Sequence, residues 1–305
     1  MSQKVFITGA TGYIGSALSE RLARVGFEMY GLTRTAERAR GLSARGVVPV
    51  FGDLKRPETY LAILKNCDAA VHAAFDNENG PAALDHKALE AFRAAAQDGR
   101  LRRLLYTSGV WVHGDTAGEV VDENTPLNPL ELVTWRAAHE EAIIDLLSYE
   151  VEAVIFRPGI VYGESRGIIG AMFDEARDRG PVSYPGDGSQ HWVLVHRDDV
   201  AEAYALGLEH AQGDERYLLG DGSSHTAREV AEAIAAATGA KARSWDADEV
   251  VKKLGAYGRA LLASQKVSSA KARRELGWVP RHTSFVNEVQ SLYQEWRGPA
   301  EASVT

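Results

Sequence analysis

Val5-Phe6-Ile7-Thr8-Gly9-Ala10-Thr11-Gly12-Tyr13-Ile14-Gly15 runs from a short apolar strand, through a glycine-punctuated turn, into a segment over 14–25 with apolar residues at helical spacing. Glycines at every third position let the backbone turn tightly. They also let a pyrophosphate approach the free N–H groups of a helix start, where the dipole favours negative charge. The spacing differs from the G-x-G-x-x-G fingerprint, but the physics is shared. A turn that merely packs helix against strand is the plainer alternative; the strand–turn–helix context favours a nucleotide site.

The same alternation continues outward. Apolar runs at 27–32, 47–51, 69–72, 104–107 and 151–156 read as buried strands, and helical patterns fill 36–44, an Ala-rich stretch ending near Gly99, and 130–149. Pro49 counts against the third run as a strand, and Pro57 opens a short helix. Repeated βα units predict an α/β fold, a Rossmann-type doubly wound parallel sheet with helices on both faces. After Arg157-Pro158-Gly159 the rhythm breaks into shorter strands (191–195, 217–219) and helices (227–238, 269–276, 285–296). This predicts a nucleotide-binding domain over 1–163 and a smaller α+β substrate lobe over 164–305, with the chain returning to the first domain around 192–225. The lobe is expected over the carboxyl edge of the sheet, where such folds bind ligands.

Composition narrows the function. The 305 residues hold 34 basic and 42 acidic side chains, net charge −8, with 45% apolar residues, the profile of an ordinary globular protein. Dispersed cations on a net negative chain give no footprint for nucleic acid or an anionic membrane. No apolar run reaches the length of a membrane span and the start has no signal-peptide pattern, so a cytoplasmic address is expected. A single cysteine, Cys67, makes neither a disulfide nor a thiolate metal site, and the histidines lack zinc-ligand spacing, so no metal is expected.

Cofactor choice is read about 20 residues past the glycine turn, where an acid holds the ribose hydroxyls of NAD. Thr33 stands there, followed by Arg34 and, one helical turn on, Arg38. Guanidinium groups suit a 2′-phosphate, so NADP(H) is expected over NAD(H). Solvated helix-start arginines are the alternative. Asp53 is placed to bond the adenine amine, with Leu54 beside the ring.

With these residues in hand, the chain resembles the extended and atypical short-chain dehydrogenase/reductases of the epimerase/dehydratase type. The resemblance runs through Gly9-x-x-Gly12-x-x-Gly15, Gly52-Asp53-Leu54, Val71-His72-Ala73-Ala74, Tyr106-Thr107-Ser108-Gly109, Arg157-Pro158-Gly159-Ile160-Val161-Tyr162-Gly163 and Val195-His196-Arg197-Asp198-Asp199. It implies cofactor contacts from Gly9, Thr11, Gly12, Tyr13, Ile14, Gly15, Ala73, Ala74, Thr107, Pro158, Gly159 and Val161, and a possible homodimer through the helix after the fifth strand and the one before it. The family carries Tyr-x-x-x-Lys on that helix, where tyrosine gives a proton and lysine holds the nicotinamide ribose. Here Trp135 and His139 stand at those positions, and no tyrosine in the chain has a lysine four residues later.

An indole N–H does not exchange its proton near neutral pH, so Trp135 is expected to wall the pocket or orient a substrate. His139 is expected to hold the ribose. Ser108 is a candidate to polarise a carbonyl, with a strand-end turn as its plainer role, and His113 is a candidate to face the substrate cleft. Tyr162, Tyr184, His191 and Trp192 read more readily as packing. Three functions follow: an NADP(H)-dependent oxidoreductase for a small carbonyl, imine or alkene with a non-standard proton source; a non-catalytic NADP-binding sensor; or a sugar-nucleotide epimerase or dehydratase.

Overall fold

The computed structural model describes residues 2–76 and 80–297. Its first half lays down strands β1 (Lys4–Thr8), β2 (Glu28–Thr33), β3 (Val48–Phe51), β4 (Ala69–His72) and β5 (Arg103–Thr107). A two-residue β6 (Val120–Val121) precedes β7 (Glu152–Pro158), β8 (Ile160–Tyr162), β9 (Val182–Pro185), β10 (Leu194–His196) and β11 (Glu215–Leu219). Short strands β12 (Ala242–Trp245) and β13 (Lys266–Val267) complete the set. The central sheet is seven-stranded and wholly parallel, in the order β11-β7-β5-β4-β1-β2-β3. Pro49 is tolerated because β3 is an edge strand, where a missing N–H costs no ladder bond.

Alternation along each strand loads both faces. Val5 and Ile7 of β1 join one core with α1 (Tyr13–Arg24), while Phe6 points into the other with Tyr60, Phe92 and Tyr106. Leu105 and Leu104 of β5 divide in the same way. Helices α2 (Ala36–Ala44), α3 (Leu61–Leu64), α4 (Pro81–Asp98) and α5 (Thr134–Ile144) follow in the first half. Past it come α6 (Gly167–Arg177), α7 (Arg197–His210), α8 (Ala227–Thr238), α9 (Ala247–Leu254), α10 (Ala256–Leu262), α11 (Ala270–Leu276) and α12 (Phe285–Arg297). Helices α6, α8 and α12 close a third core around Tyr162, Phe173, Trp192 and Phe285. The chain re-enters the main sheet at β11, beside β7.

Two expected elements differ. The helix over 130–149 is divided into a 3-10 turn at Glu131–Val133, α5, and a second 3-10 turn at Asp145–Tyr149; the first break falls where Val133 leaves the helical region at φ −126°. The strand expected over 191–195 pairs only at Leu194–His196; His191 makes an isolated bridge to Thr226. No described helix is long and apolar enough to cross a membrane.

Candidate functional site

The carboxyl ends of β1, β2, β4, β5 and β7 open onto one cleft. Gly12 caps α1 in extended conformation, and that helix start has neither a capping side chain nor an acidic residue in its first turn, so no side chain among the described residues caps its N–H donors. Gly9 adopts φ +72°, and a Cβ there would lie 2.4 Å from the Ala73 carbonyl oxygen. A Cβ on Gly15 would lie 2.0 Å from the Gly9 oxygen. The turn, the end of β4 and the first turn of α1 are thus in backbone contact, and only glycine leaves the cradle open.

A groove of about 440 Å³ runs from this cradle. Gly9, Thr11 and Gly12 form its floor, Leu54, Ala73 and Ala74 its walls, and Thr33, Arg34, Arg38 and Asp53 its far end. Arg166, from the turn before α6, reaches the same groove and is not evident from the sequence motifs. The Thr33 hydroxyl is buried without a partner, and the Asp53 carboxylate accepts the Lys55 backbone N–H at 2.9 Å. A glycine cradle, an uncapped helix start, Arg34 after β2 and Arg38 at the start of α2 fit a dinucleotide.

Tyr13, Ile14 and Phe75 line both this groove and a second cavity of about 550 Å³. The second space is walled by Val110, Trp111, Leu132, Ile160, Val161 and Tyr257, with Pro158 and Gly159 at its base. Besides the aromatic residues, two polar side chains interrupt this wall among the described lining residues: the Ser108 hydroxyl, buried and unpartnered, and the Arg136 guanidinium. The Tyr13 hydroxyl donates to the Gly163 carbonyl at 2.6 Å, and burial pushes its phenol up.

Several expected site residues lie elsewhere. His113 does not face the cleft: it is buried beneath it, with Nε2 3.1 Å from Arg157 Nη1, and burial, reinforced by the Arg157 charge, holds its pKa down to about 4. Trp135 does not wall the cavity, because the neighbouring Arg136 takes the inward position and Trp135 packs behind it, its indole N–H buried and unpartnered. The Thr107 hydroxyl turns to Tyr204 on the opposite face of the sheet, at 2.6 Å. Tyr162, Tyr184 and Trp192 pack in the second lobe, against Phe285, against Arg228 and onto the Leu261 carbonyl respectively. His191 bonds the Ser224 carbonyl.

His139 belongs to a buried network absent from the sequence reading. Its Nδ1 donates to Asp85 Oδ2 at 2.6 Å; His72 Nε2 donates to Oδ1 at 2.9 Å, and the Tyr106 hydroxyl donates to Oδ2 at 2.9 Å. Thr8 Oγ1 lies 2.6 Å from His72 Nδ1, which carries the chain of contacts back to the glycine turn. Burial opposes ionisation of Asp85, but the charge on His72, the bonds from His139 and His72, and the charge of Arg136 outweigh it. They hold the carboxyl well below the usual carboxylate range. The available signal was Asp85 on the buried face of α4, in register with Leu84, Ala88 and Phe92.

A profile of the NAD dependent epimerase/dehydratase family matches residues 5–220. The chain belongs to that family. An uncharacterized protein of Schizosaccharomyces pombe is 28% identical over 94% of this chain and 98% of its own. The 4-hydroxy-2-methyl-3-oxo-4-farnesyl-3,4-dihydroquinoline-1-oxide ketoreductase of Stigmatella aurantiaca is 26% identical over 92% of this chain and 93% of its own. The fold is that of the UDP-glucose 4-epimerase of Thermus thermophilus in complex with NAD, with a TM-score of 0.81 at 24% identity, covering 97% of this chain and 100% of that one. Within this NAD(P)-dependent family, the groove occupies the carboxyl edge of the sheet, as expected of a doubly wound fold.

Proposed function

We propose that the protein is an NADP(H)-dependent oxidoreductase acting on a small, largely apolar substrate that carries a carbonyl, imine or activated alkene. The observation that carries this reading is the continuity of the basic, glycine-floored groove with the apolar cavity through Tyr13, Ile14 and Phe75. When bound, the nicotinamide supplies or accepts the hydride. The chain's own part is to bind, orient and exclude water. The N–H groups of the α1 start take the pyrophosphate, Arg34 and Arg38 the 2′-phosphate, Asp53 and Leu54 the adenine, and Pro158, Gly159 and Val161 one wall of the nicotinamide end.

Ser108 Oγ, buried without a partner, hydrogen-bonds the reacting oxygen or nitrogen. His139, anchored by Asp85, orients the ribose. Trp135 stiffens Arg136 and gives no proton. The name of the Stigmatella relative, a ketoreductase for a farnesylated ring, accords with an apolar chamber. A sugar ring is a poorer fit, since its hydroxyls need several polar partners and the wall offers few.

The test is to titrate the protein with NADPH and NADH, then to mix the NADPH complex, deuterated at the nicotinamide, with an apolar ketone, a cyclic imine and an enone, and to mix the NADP⁺ and NAD⁺ complexes with UDP-glucose. Tighter NADPH binding and deuterium in a reduced product are expected. Epimerised UDP-glucose without net reduction of the oxidised cofactor replaces the reading with an epimerase. NADPH binding with no reaction across the panel replaces it with a non-catalytic NADP-binding protein.

A further inference from the structure

Helix α5 turns Arg136, Glu140 and Ile143 inward, continuing from the buried Val133 that precedes it, so its buried stripe carries two charged residues beside apolar ones. Glu140 is accounted for: Arg157 grips it from two nitrogens, Nε at 3.1 Å from Oε1. Arg136 is not. It is nine-tenths buried, yet it forms no ion pair among the described residues. Burying a guanidinium without a counter-charge is costly.

Its bonding explains half of the group. Nη1 donates to the Thr107 carbonyl at 2.8 Å and reaches the Tyr106 hydroxyl at 3.4 Å. Nε and Nη2 make no hydrogen bond among the described residues. The Asp85 carboxylate, joined to Arg136 only through the Tyr106 hydroxyl, has its oxygens taken by His72, His139 and Tyr106 itself. The rings of Trp135 and Phe75 lie 4.5 and 5.2 Å from the guanidinium carbon. Such packing fixes the planar group and leaves its edge as the polar surface. That edge belongs to the wall of the apolar cavity, where Arg136 is the one charged side chain among the described lining residues.

We propose that this cavity takes an organic carboxylate on an apolar body, and that the Arg136 guanidinium holds the carboxylate. Two N–H groups on one planar edge match the two oxygens of a carboxylate, and one cation balances one negative charge. A phosphate dianion needs more donors than this wall supplies. The anchor on Thr107 also places the guanidinium beside Ser108, the residue that follows. A substrate held this way carries its reactive carbonyl, imine or alkene a few bonds from its carboxylate. The inference rests on the oxidoreductase reading for the meaning of the site, but the binding it asserts is measured separately from cofactor binding.

The experiment is isothermal titration of the full chain, with and without NADP⁺, using benzoate, phenylacetate and 3-phenylpropanoate, each against its primary amide. At least one acid is expected to bind ~10-fold more tightly than its amide, the size of a charge-assisted bond. Arg136→Met brings acid and amide to parity, and Arg136→Lys keeps part of the preference; thermal melting shows that each variant is folded. The wild-type comparison decides the matter even where a variant fails to fold. The proposal is overturned if no acid in the series outbinds its amide, or if the preference survives in folded Arg136→Met. Absent NADPH binding with a preserved acid preference sinks the oxidoreductase reading and leaves the anion site standing.

Discussion

Replacing Arg34 with alanine separates cofactor recognition from fold. Arg34 follows β2 directly, Arg38 is in the first turn of α2, and both side chains are exposed at the end of the nucleotide groove. No hydrogen bond or ion pair ties either guanidinium to another described side chain, so Arg34→Ala removes no internal interaction and stability should change little. A bond from a guanidinium to a phosphate is charge-assisted, but at an exposed position solvent screening puts it at the lower end of its range. The expected loss in NADPH affinity is therefore ~10-fold per arginine, and up to ~100-fold for the double variant Arg34→Ala/Arg38→Ala if the two act independently. NADH lacks the 2′-phosphate, so its affinity should stay within about twofold. Tryptophan fluorescence titration at two salt concentrations gives both constants, and the NADPH preference should shrink at the higher salt. Equal weakening of NADPH and NADH, or no change in either, would refute the assignment of the 2′-phosphate to this end of the groove.

Ser108→Ala should leave the melting temperature unchanged or slightly raised, because the hydroxyl it removes is buried and unpartnered, while turnover on any accepted substrate falls ~10-fold or more; a marked loss of stability would make Ser108 a structural residue. Asp85→Asn strips a buried carboxylate from two histidines and a tyrosine and should cost about 3 kcal/mol at neutral pH by denaturant unfolding, with little loss counting against the network. Because the folded carboxyl is held below its unfolded value, its contribution is fully present above about pH 4 and is lost as pH falls further, so the variant should show a flatter acid limb. His113 and His196 are each depressed to about 4 by burial foremost, so the unfolded chain binds more protons than the folded one between about pH 6.5 and 4. Stability should fall across that window as pH is lowered, by up to about 3 kcal/mol for each histidine, and a pH-independent midpoint of unfolding there would contradict the burial of both rings.

The strands and the glycine turn were legible because a parallel sheet buried on both faces writes itself as short continuous apolar runs, and because a backbone contact such as that of Gly9 with Ala73 admits one residue type. The site was legible only where a motif is local. Arg34, Asp53 and Pro158 are placed by the ends of their own strands. The side of α5 that faces the cavity is set by helical phase. A tryptophan at a tyrosine's position drew attention, while the charge one residue later, in register with Val133 and Ile143, is the group that reaches the cavity. Tyr257 comes from α10, more than a hundred residues away in sequence, and no local pattern could bring it there.

The packing of α7 bears on how the polypeptide acquires its structure during synthesis. Val200, Tyr204 and Leu208 of α7 cover the same face of the sheet as Leu18 and Leu22 of α1, and Trp278, fully enclosed, donates its indole N–H to the Asp199 carbonyl at 2.8 Å. Six of the seven sheet strands are complete by residue 158, but the α7 side chains that cover one face follow only by residue 210, and Trp278 joins the same core later still. Until α7 has followed, the chain lacks the Tyr204 ring that stacks on Phe156 at 4.4 Å. The gene therefore offers no cut near its middle that yields two autonomous pieces; the first would need its own chaperone, or the second half supplied in trans, to stay in solution.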